Sequence, residues 1–277
     1  MVVIKLHSRM GNQMFQYAFG IYVKTKLKKQ VIYEINHKDK FRLNYFKTSF
    51  PFIFFSVFPF LQRLYILLTK KINLQNTFTQ KESDLIENKI PTLKDSCTYD
   101  GYFQHAKIVE EIKEKIFDRF RVRTKYVKTF QKKYPAFTTS NTLVVHVRLG
   151  DYENLVSTID NNRIVWSLPI EWYQKAIEEQ SSFHDNILLI SDDPQKAISK
   201  IRFDMNKLIV SKNDEITDFL CLMNCKTAII SNSTFAWWGA FLNKRKDKKI
   251  IAPKNWVGYN AGFEFPAGIM TKDFTWN

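Results

Sequence analysis

Cysteine, glycine and proline are scarce in this 277-residue chain, at three, eight and eight residues. Three cysteines (Cys97, Cys221, Cys225) build no disulfide framework. Cys221 and Cys225 stand four apart in an apolar, helix-like stretch, and no histidine lies close in sequence to complete a zinc site. Buried, reduced thiols are therefore expected, as in a cytoplasmic protein. So little glycine and proline excludes collagen-like and low-complexity classes. Acidic residues are outnumbered, 27 against 42 lysines and arginines, and the net charge of +15 favours anionic partners: nucleic acid, lipid headgroups or phosphorylated small molecules. Long apolar runs are also missing. "MVVIKLHSRMGNQ" is too short in apolar residues for a signal peptide, and no small-residue cleavage site follows. Residues 50–69 are crowded with aromatics, but Pro51, Pro59, Gln62 and Arg63 interrupt them, leaving less than the roughly 20 residues a spanning helix needs. A buried helical insertion is the preferred reading there. The alternative is an interfacial patch that, with Lys70 and Lys71, rests on an anionic membrane.

What the sequence does contain is alternation. "VVIKLH" reads as a strand, "QMFQYAFGIYVKTKLKK" as a helix and "QVIYEI" as a second strand. Residues 37–97 show no firm period, after which "CTYDGYFQ" reads as a strand entering a loop and "AKIVEEIKEKIFDRFRV" as one amphipathic helix. A lysine-rich stretch then leads to a cleaner series. The strands are "TLVVHVR", "NILLISDD", "KLIVSK", "TAIIS" and "KKIIAP", and helical patterns stand between them. Such alternation predicts an α/β protein with parallel sheet covered on both faces, divided near residue 138.

In open parallel sheets, ligands sit outside the carboxyl ends of the strands. Four segments with polar chemistry occupy such ends. In "RMGNQMFQ", Gly11 ends a strand or permits a turn that brings amides toward phosphate or sugar. In "HVRLGDY", His146 and Arg148 share a strand face, and Gly150 permits close backbone approach. Arg148 offers a planar fork suited to phosphate, against the plainer reading of an Arg148–Asp151 ion pair. In "SDDP", Asp192 and Asp193 cap a helix, the preferred reading, or hold a divalent ion or nucleotide. In "SNSTFAWWGAFLN", Ser231, Asn232, Ser233 and Thr234 precede a helix, as an N-cap or as an anion site. Asp218 is either solvent-facing or aimed at a base edge.

Together these segments resemble family 11 glycosyltransferases, the bacterial α-1,2-fucosyltransferases. The family's G-N-Q-x-F-Q-Y segment is matched by Gly11 to Tyr17, its H-x-R-x-G-D-Y motif by His146 to Tyr152, and its S-x-S-T-F-x-W-W-G-A segment by Ser231 to Ala240. "DGYFQ" (100–104) fits as well. Two departures stand out: Ser8 and Arg9 where the family commonly has a glycine pair, and Leu149 where it often has a second arginine.

The resemblance implies a GT-B fold: two Rossmann-like domains facing a cleft, with residues 1–137 on the acceptor side and 138–277 binding GDP-β-L-fucose. It implies inverting transfer to the 2-hydroxyl of a terminal galactose in an oligosaccharide or lipid-linked glycan, with no metal and no cofactor. The location it implies is the bacterial cytoplasm, peripheral to the inner membrane. In that frame Arg148 holds the β-phosphate, Asp218 and the His146 strand read guanine, and Ser233 and Thr234 close on the diphosphate. Gly11, Asn12, Gln13, Asp192, Asp193, Ser231 and Asn232 are further substrate-binding candidates. The base is sought among Asp151, His146, Asn12 and His7, with Asp151 preferred. Two other readings stand beside it: a basic RNA-binding protein, disfavoured by scattered charge and the lack of any RNP- or KH-type motif, and a transferase of different linkage.

Overall fold

A computed structural model describes residues 1–35, 39–48, 76–159 and 162–277, and divides into two compact units, Met1–Arg123 and Thr124–Asn277. The aromatic segment 50–69 lies outside the described residues. Among those described, no helix is long and apolar enough to cross a membrane.

The N-terminal unit is built on β1 (Val2–Leu6), whose valines, Ile4 and Leu6 are buried while Lys5 reaches outward. Helix α1 (Met10–Leu27) buries Met14, Phe15, Ala18, Phe19 and Val23, residues at helical spacing. It ends where Lys28 turns left-handed and donates its N–H to the Lys24 carbonyl. Then come β2 (Val31–Ile35), β3 (Asn76–Thr79), α2 (Glu82–Ile86) and β4 (Cys97–Asp100). The four strands form a parallel sheet in the order β2-β1-β4-β3. The single helix expected over 106–122 is two, α3 (Ala106–Glu111) and α4 (Lys113–Arg119), broken at Ile112. The break lets Ile108, Val109, Ile112 and Ile116 all reach the core.

The C-terminal unit opens with α5 (Thr124–Lys133), which packs on a helix of this same unit, α8 (Glu215–Asn224). Its anchor is an aromatic cluster of Phe130, Tyr134 and Phe137. The structural division thus falls upstream of residue 138, because this lysine-rich stretch carries an apolar face. Strand β5 (Thr142–Val147) is buried at every position, as a strand covered on both faces must be. The hairpin β6 (Val156–Ile159) and β7 (Asn162–Val165) follows, then α6 (Ile170–Ser181), β8 (Asn186–Ser191), α7 (Pro194–Lys200) and β9 (Leu208–Val210). After α8 come β10 (Thr227–Ile230), α9 (Thr234–Phe241), β11 (Lys249–Ala252) and β12 (Thr275–Trp276). Six strands form a parallel sheet in the order β12-β11-β10-β5-β8-β9.

Leu143, Val145 and Val147 of β5 pack with Trp172, Tyr173 and Ile177 of α6 and with Leu189 of β8. Trp237 and Trp238 are both fully buried, and Trp237 donates its indole N–H to the Ile269 carbonyl at 3.1 Å. Cys97, Cys221 and Cys225 are free and buried, as expected from their number and setting.

Candidate functional site

The carboxyl ends of β5, β8 and β10, three neighbouring strands of one sheet, bring the C-terminal candidates together. Leaving β5, Arg148 is clamped rather than loose. Its Nη2 donates to Asp151 Oδ1 at 2.6 Å, its Nε pairs with Asp192 Oδ2 at 3.2 Å, and its guanidinium lies 5.2 Å from the centre of the Tyr152 ring. The ion pair considered from sequence therefore exists, and a second carboxylate and an aromatic face complete it. A fork fixed on one side by carboxylates can still present its other N–H donors to a phosphate. Trp166, leaving the hairpin, meets Tyr152 edge-on at 5.6 Å and anchors its own N–H on Ser157 Oγ at 2.9 Å.

Asp192 and Asp193 do different work. Asp192 also accepts the Leu149 N–H at 3.1 Å, so one carboxylate shapes both the turn and the arginine. Asp193 caps α7, accepting the Lys196 N–H at 3.0 Å, which is the preferred sequence reading. Among the described residues no group of three or more His, Cys, Asp and Glu side chains is placed to hold a metal ion.

His146 was expected in catalysis. It is buried, its Nδ1 lies 2.8 Å from Ser231 Oγ, and its ring stacks near Phe235. Burial drives its pKa down to about 4, against the opposing pull of the Asp192 charge, so the ring is neutral. It ties the end of β5 to the end of β10. Tyr173, wholly buried, places its hydroxyl beside the Arg148 backbone and the Ser231 side chain, and burial raises its pKa.

Beyond β10, Asn232 donates to the Trp166 carbonyl at 2.7 Å, while its buried Oδ1 has no partner among the described residues. Ser233 occupies the N-cap position of α9, yet its side chain makes no capping bond. The first-turn amides of a helix without a side-chain cap are a ready anion site. Thr234 opens that helix. Asp218, in the first turn of α8, accepts Ser211 Oγ at 2.5 Å and Asn213 Nδ2 at 2.8 Å, both on Oδ1. Burial raises its pKa in spite of these bonds.

The N-terminal candidates form a separate group at the end of β1. Gly11 is a helical residue of α1; the left-handed position is Ser8, with φ 70°. The turn expected at Gly11 thus sits three residues earlier, on a non-glycine. Gln13 is fully buried and consumed by structure: its Nε2 donates to the Ser8 and Lys40 carbonyls, and its Oε1 accepts the Arg42 N–H at 2.9 Å. Asn12 bridges Ser8 Oγ and Gln104, at 3.0 Å each. Sequence reasoning missed Tyr152, Trp166 and Tyr173 as the aromatic residues packed around Arg148. Tyr152 was legible as the last residue of the central motif, whereas nothing local marks Trp166 or Tyr173.

The model of the family "Glycosyl transferase family 11" matches residues 69–272. The O-antigen biosynthesis glycosyltransferase WbnK of Escherichia coli is 25% identical over 291 residues, covering 92% of this chain and 94% of WbnK. An α-1,2-colitosyltransferase of Escherichia coli is 28% identical over 274 residues, covering 92% of each. Among solved structures, the α-1,6-fucosyltransferase NodZ co-crystallised with GDP, an enzyme from Bradyrhizobium, superposes with a TM-score of 0.57 at 13% identity, covering 92% of this chain and 94% of NodZ. POFUT1 in complex with GDP-fucose gives 0.51 at 11% identity, covering 91% and 96%. These structural likenesses show the fold, GT-B with two Rossmann-like units. With its three motifs in order and the family model spanning most of its length, the chain belongs to glycosyl transferase family 11.

Proposed function

We propose that the protein transfers L-fucose from GDP-β-L-fucose to the 2-hydroxyl of a terminal galactose in an oligosaccharide or lipid-linked glycan, with inversion and without a metal ion or cofactor. The observation that carries this reading is the pairing of a clamped Arg148 with the α9 N-terminus, whose N-cap side chain is unused. As the acceptor hydroxyl attacks the anomeric carbon, the bond to the diphosphate breaks and negative charge grows on the β-phosphate. A fixed guanidinium and uncapped amides answer that charge without moving. Asp192 and Asp193 are engaged by Arg148, Leu149 and Lys196, in keeping with a metal-independent site. Asp218, with Oδ2 free of hydrogen bonds among the described residues, suits the donor edge of guanine.

The donor is supported by relatives of the same fold crystallised with GDP or GDP-fucose, and the α-1,2 linkage by the name of the colitosyltransferase. That same relative favours a second reading, in which the transferred sugar is colitose. The name of WbnK, an O-antigen biosynthesis glycosyltransferase, supports an acceptor among bacterial surface glycans, and the same reading includes work in the cytoplasm, peripheral to the inner membrane.

The test is incubation with GDP-fucose, or its colitose counterpart, and an array of β-galactosides, with linkage read by NMR. An α-1,2 product from GDP-fucose is expected in the presence of EDTA. Arg148→Ala should lower turnover by about 10²–10³-fold, the usual loss when a charge stabiliser is removed. Near wild-type turnover in that variant would overturn the assignment.

A further inference from the structure

Tyr17 on α1 and Tyr33 on β2 stack with ring centres 4.5 Å apart, and the Tyr33 hydroxyl donates to the Tyr17 carbonyl at 2.9 Å. Gly20, almost one turn further along α1, makes room for the Tyr33 ring, which a Cβ there would strike. With Ile21 and Val31, the two rings floor an open groove of about 1030 Å³ between α1, α4 and the start of β2. Val31 opens β2 and pairs with Val2, so the groove lies at the amino end of the N-terminal sheet, away from the end of β1 that leads into the Gly11 motif.

The rim of this groove is cationic. Lys24, Lys28, Lys29, Lys115 and Arg119 line it against two carboxylates, Glu114 and Asp118. Asp118 is engaged by Arg121 at 2.7 Å and Lys29 by Asp95 at 2.9 Å, while Lys115 donates to Thr25 Oγ1 at 2.7 Å. The side chains of Lys24, Lys28 and Arg119 are exposed and make no ion pair or hydrogen bond among the described residues. The partial charge at a helix C-terminus does not account for so many cations, since it amounts to about half an elementary charge. Here α1 carries Lys24 and Lys26 in its last turn, with Lys28 and Lys29 just beyond.

Unpaired cations around an apolar floor suit an anion that also carries apolar surface. A free phosphate has no use for the tyrosines, and a purely apolar ligand would strip water from the lysines without replacing it. Lysine stems can also lie along apolar surface while their charged ends reach outward. We propose that this groove takes the phosphodiester head and glycerol of an anionic phospholipid, and so seats the N-terminal unit on a membrane surface. Resting on the peripheral location proposed above, it names the face that makes the contact. All the groups concerned belong to the N-terminal unit.

The test is flotation of the full chain with vesicles of phosphatidylcholine alone and of equimolar phosphatidylcholine and phosphatidylglycerol. Wild type should float with the second and not the first. Each cation beside an anionic leaflet is worth about fivefold in binding, so Lys24→Gln/Lys28→Gln/Arg119→Gln should bind about 10²-fold more weakly. Lys246→Gln/Lys254→Gln/Lys272→Gln removes the same charge from exposed positions of the C-terminal unit and should bind close to wild type. Equal losses in the two triples would reduce the attraction to net charge and overturn the proposal, as would a wild type that does not float. Glycerol phosphate at the concentration of lipid phosphate should leave the protein on the vesicles; release would assign the groove to soluble phosphates instead and overturn the membrane contact. If the groove triple does not fold, Lys28→Gln alone should lose about fivefold, and unchanged binding overturns the proposal equally. Transfer to a soluble β-galactoside, measured in parallel, should be retained in the groove triple. Wild type that floats without transferring would sink the proposed activity and leave this face standing; transfer without flotation does the opposite.

Discussion

Gly150 has no side chain because the Asp192 carboxylate stands where one would go: a Cβ there would run into Asp192 Oδ2. That oxygen is the one paired with Arg148 Nε, so the absence of a methyl group at one residue sets the aim of another. Gly150→Ala should keep the fold but push Asp192 off the arginine. The carboxylate can swing aside at little cost to the fold, so the melting temperature should stay close to wild type while GDP affinity, measured by calorimetry, weakens. His146 carries a second prediction. Its folded pKa of about 4 lies below the ordinary 6.5, so the unfolded chain binds a proton that the folded one refuses. Stability is therefore lost as pH falls from 6.5 toward 4, by on the order of 3 kcal/mol in all. Thermal melts at neutral and acid pH should show a larger acid loss for wild type than for His146→Gln; equal losses would show that this ring does not couple stability to pH.

Helices α7 and α9 pose the same question, whether a polar residue before a helix is a cap or a ligand, and only α7 uses that side chain as a cap. Asp193 accepts an N–H from its helix; Ser233 does not. Asp193→Ala should therefore cost about 1 kcal/mol of stability and leave GDP affinity unchanged. Ser233→Ala should do the reverse, with a melting temperature close to wild type and weaker GDP binding. A drop in melting temperature for Ser233→Ala without loss of affinity would reduce Ser233 to a cap. Sequence could not separate the two, because "SDDP" and "SNST" both satisfy the composition of an N-cap and only side-chain direction distinguishes them. Elements with strong apolar runs were legible: β5, β8, β10 and β11 stand where alternation put them. The β6–β7 hairpin was not, since its inward residues Ile159 and Ile164 are too few to set a period. The turn before α1 was misplaced for a different reason. Glycine is the usual left-handed residue, but here Ser8 holds φ 70° through bonds to Asp39 and Asn12, in the place where the family commonly has glycine.

At the scale of the molecule, a net charge of +15 draws anions toward every surface, so affinity for GDP alone does not identify a site. The distribution of tryptophan offers a way to localise the effect. All six tryptophans, Trp166, Trp172, Trp237, Trp238, Trp256 and Trp276, lie in the C-terminal unit, and Trp166 touches Tyr152 beneath Arg148. Tryptophan fluorescence therefore reports unfolding of the unit proposed to hold the donor. GDP at about 100 times its Kd should stabilise that unit by about 2.7 kcal/mol, visible as a rise in the fluorescence-detected melting temperature. The rise should persist in EDTA and in salt, because a fixed arginine and helix amides are screened far less than a diffuse basic surface. UDP, with the same diphosphate and a different base, should shift the melt less if Asp218 reads guanine. An equal shift by both nucleotides would confine recognition to the diphosphate, and a shift that vanishes in EDTA would show that a cation, rather than Arg148 and α9 alone, carries the phosphate charge.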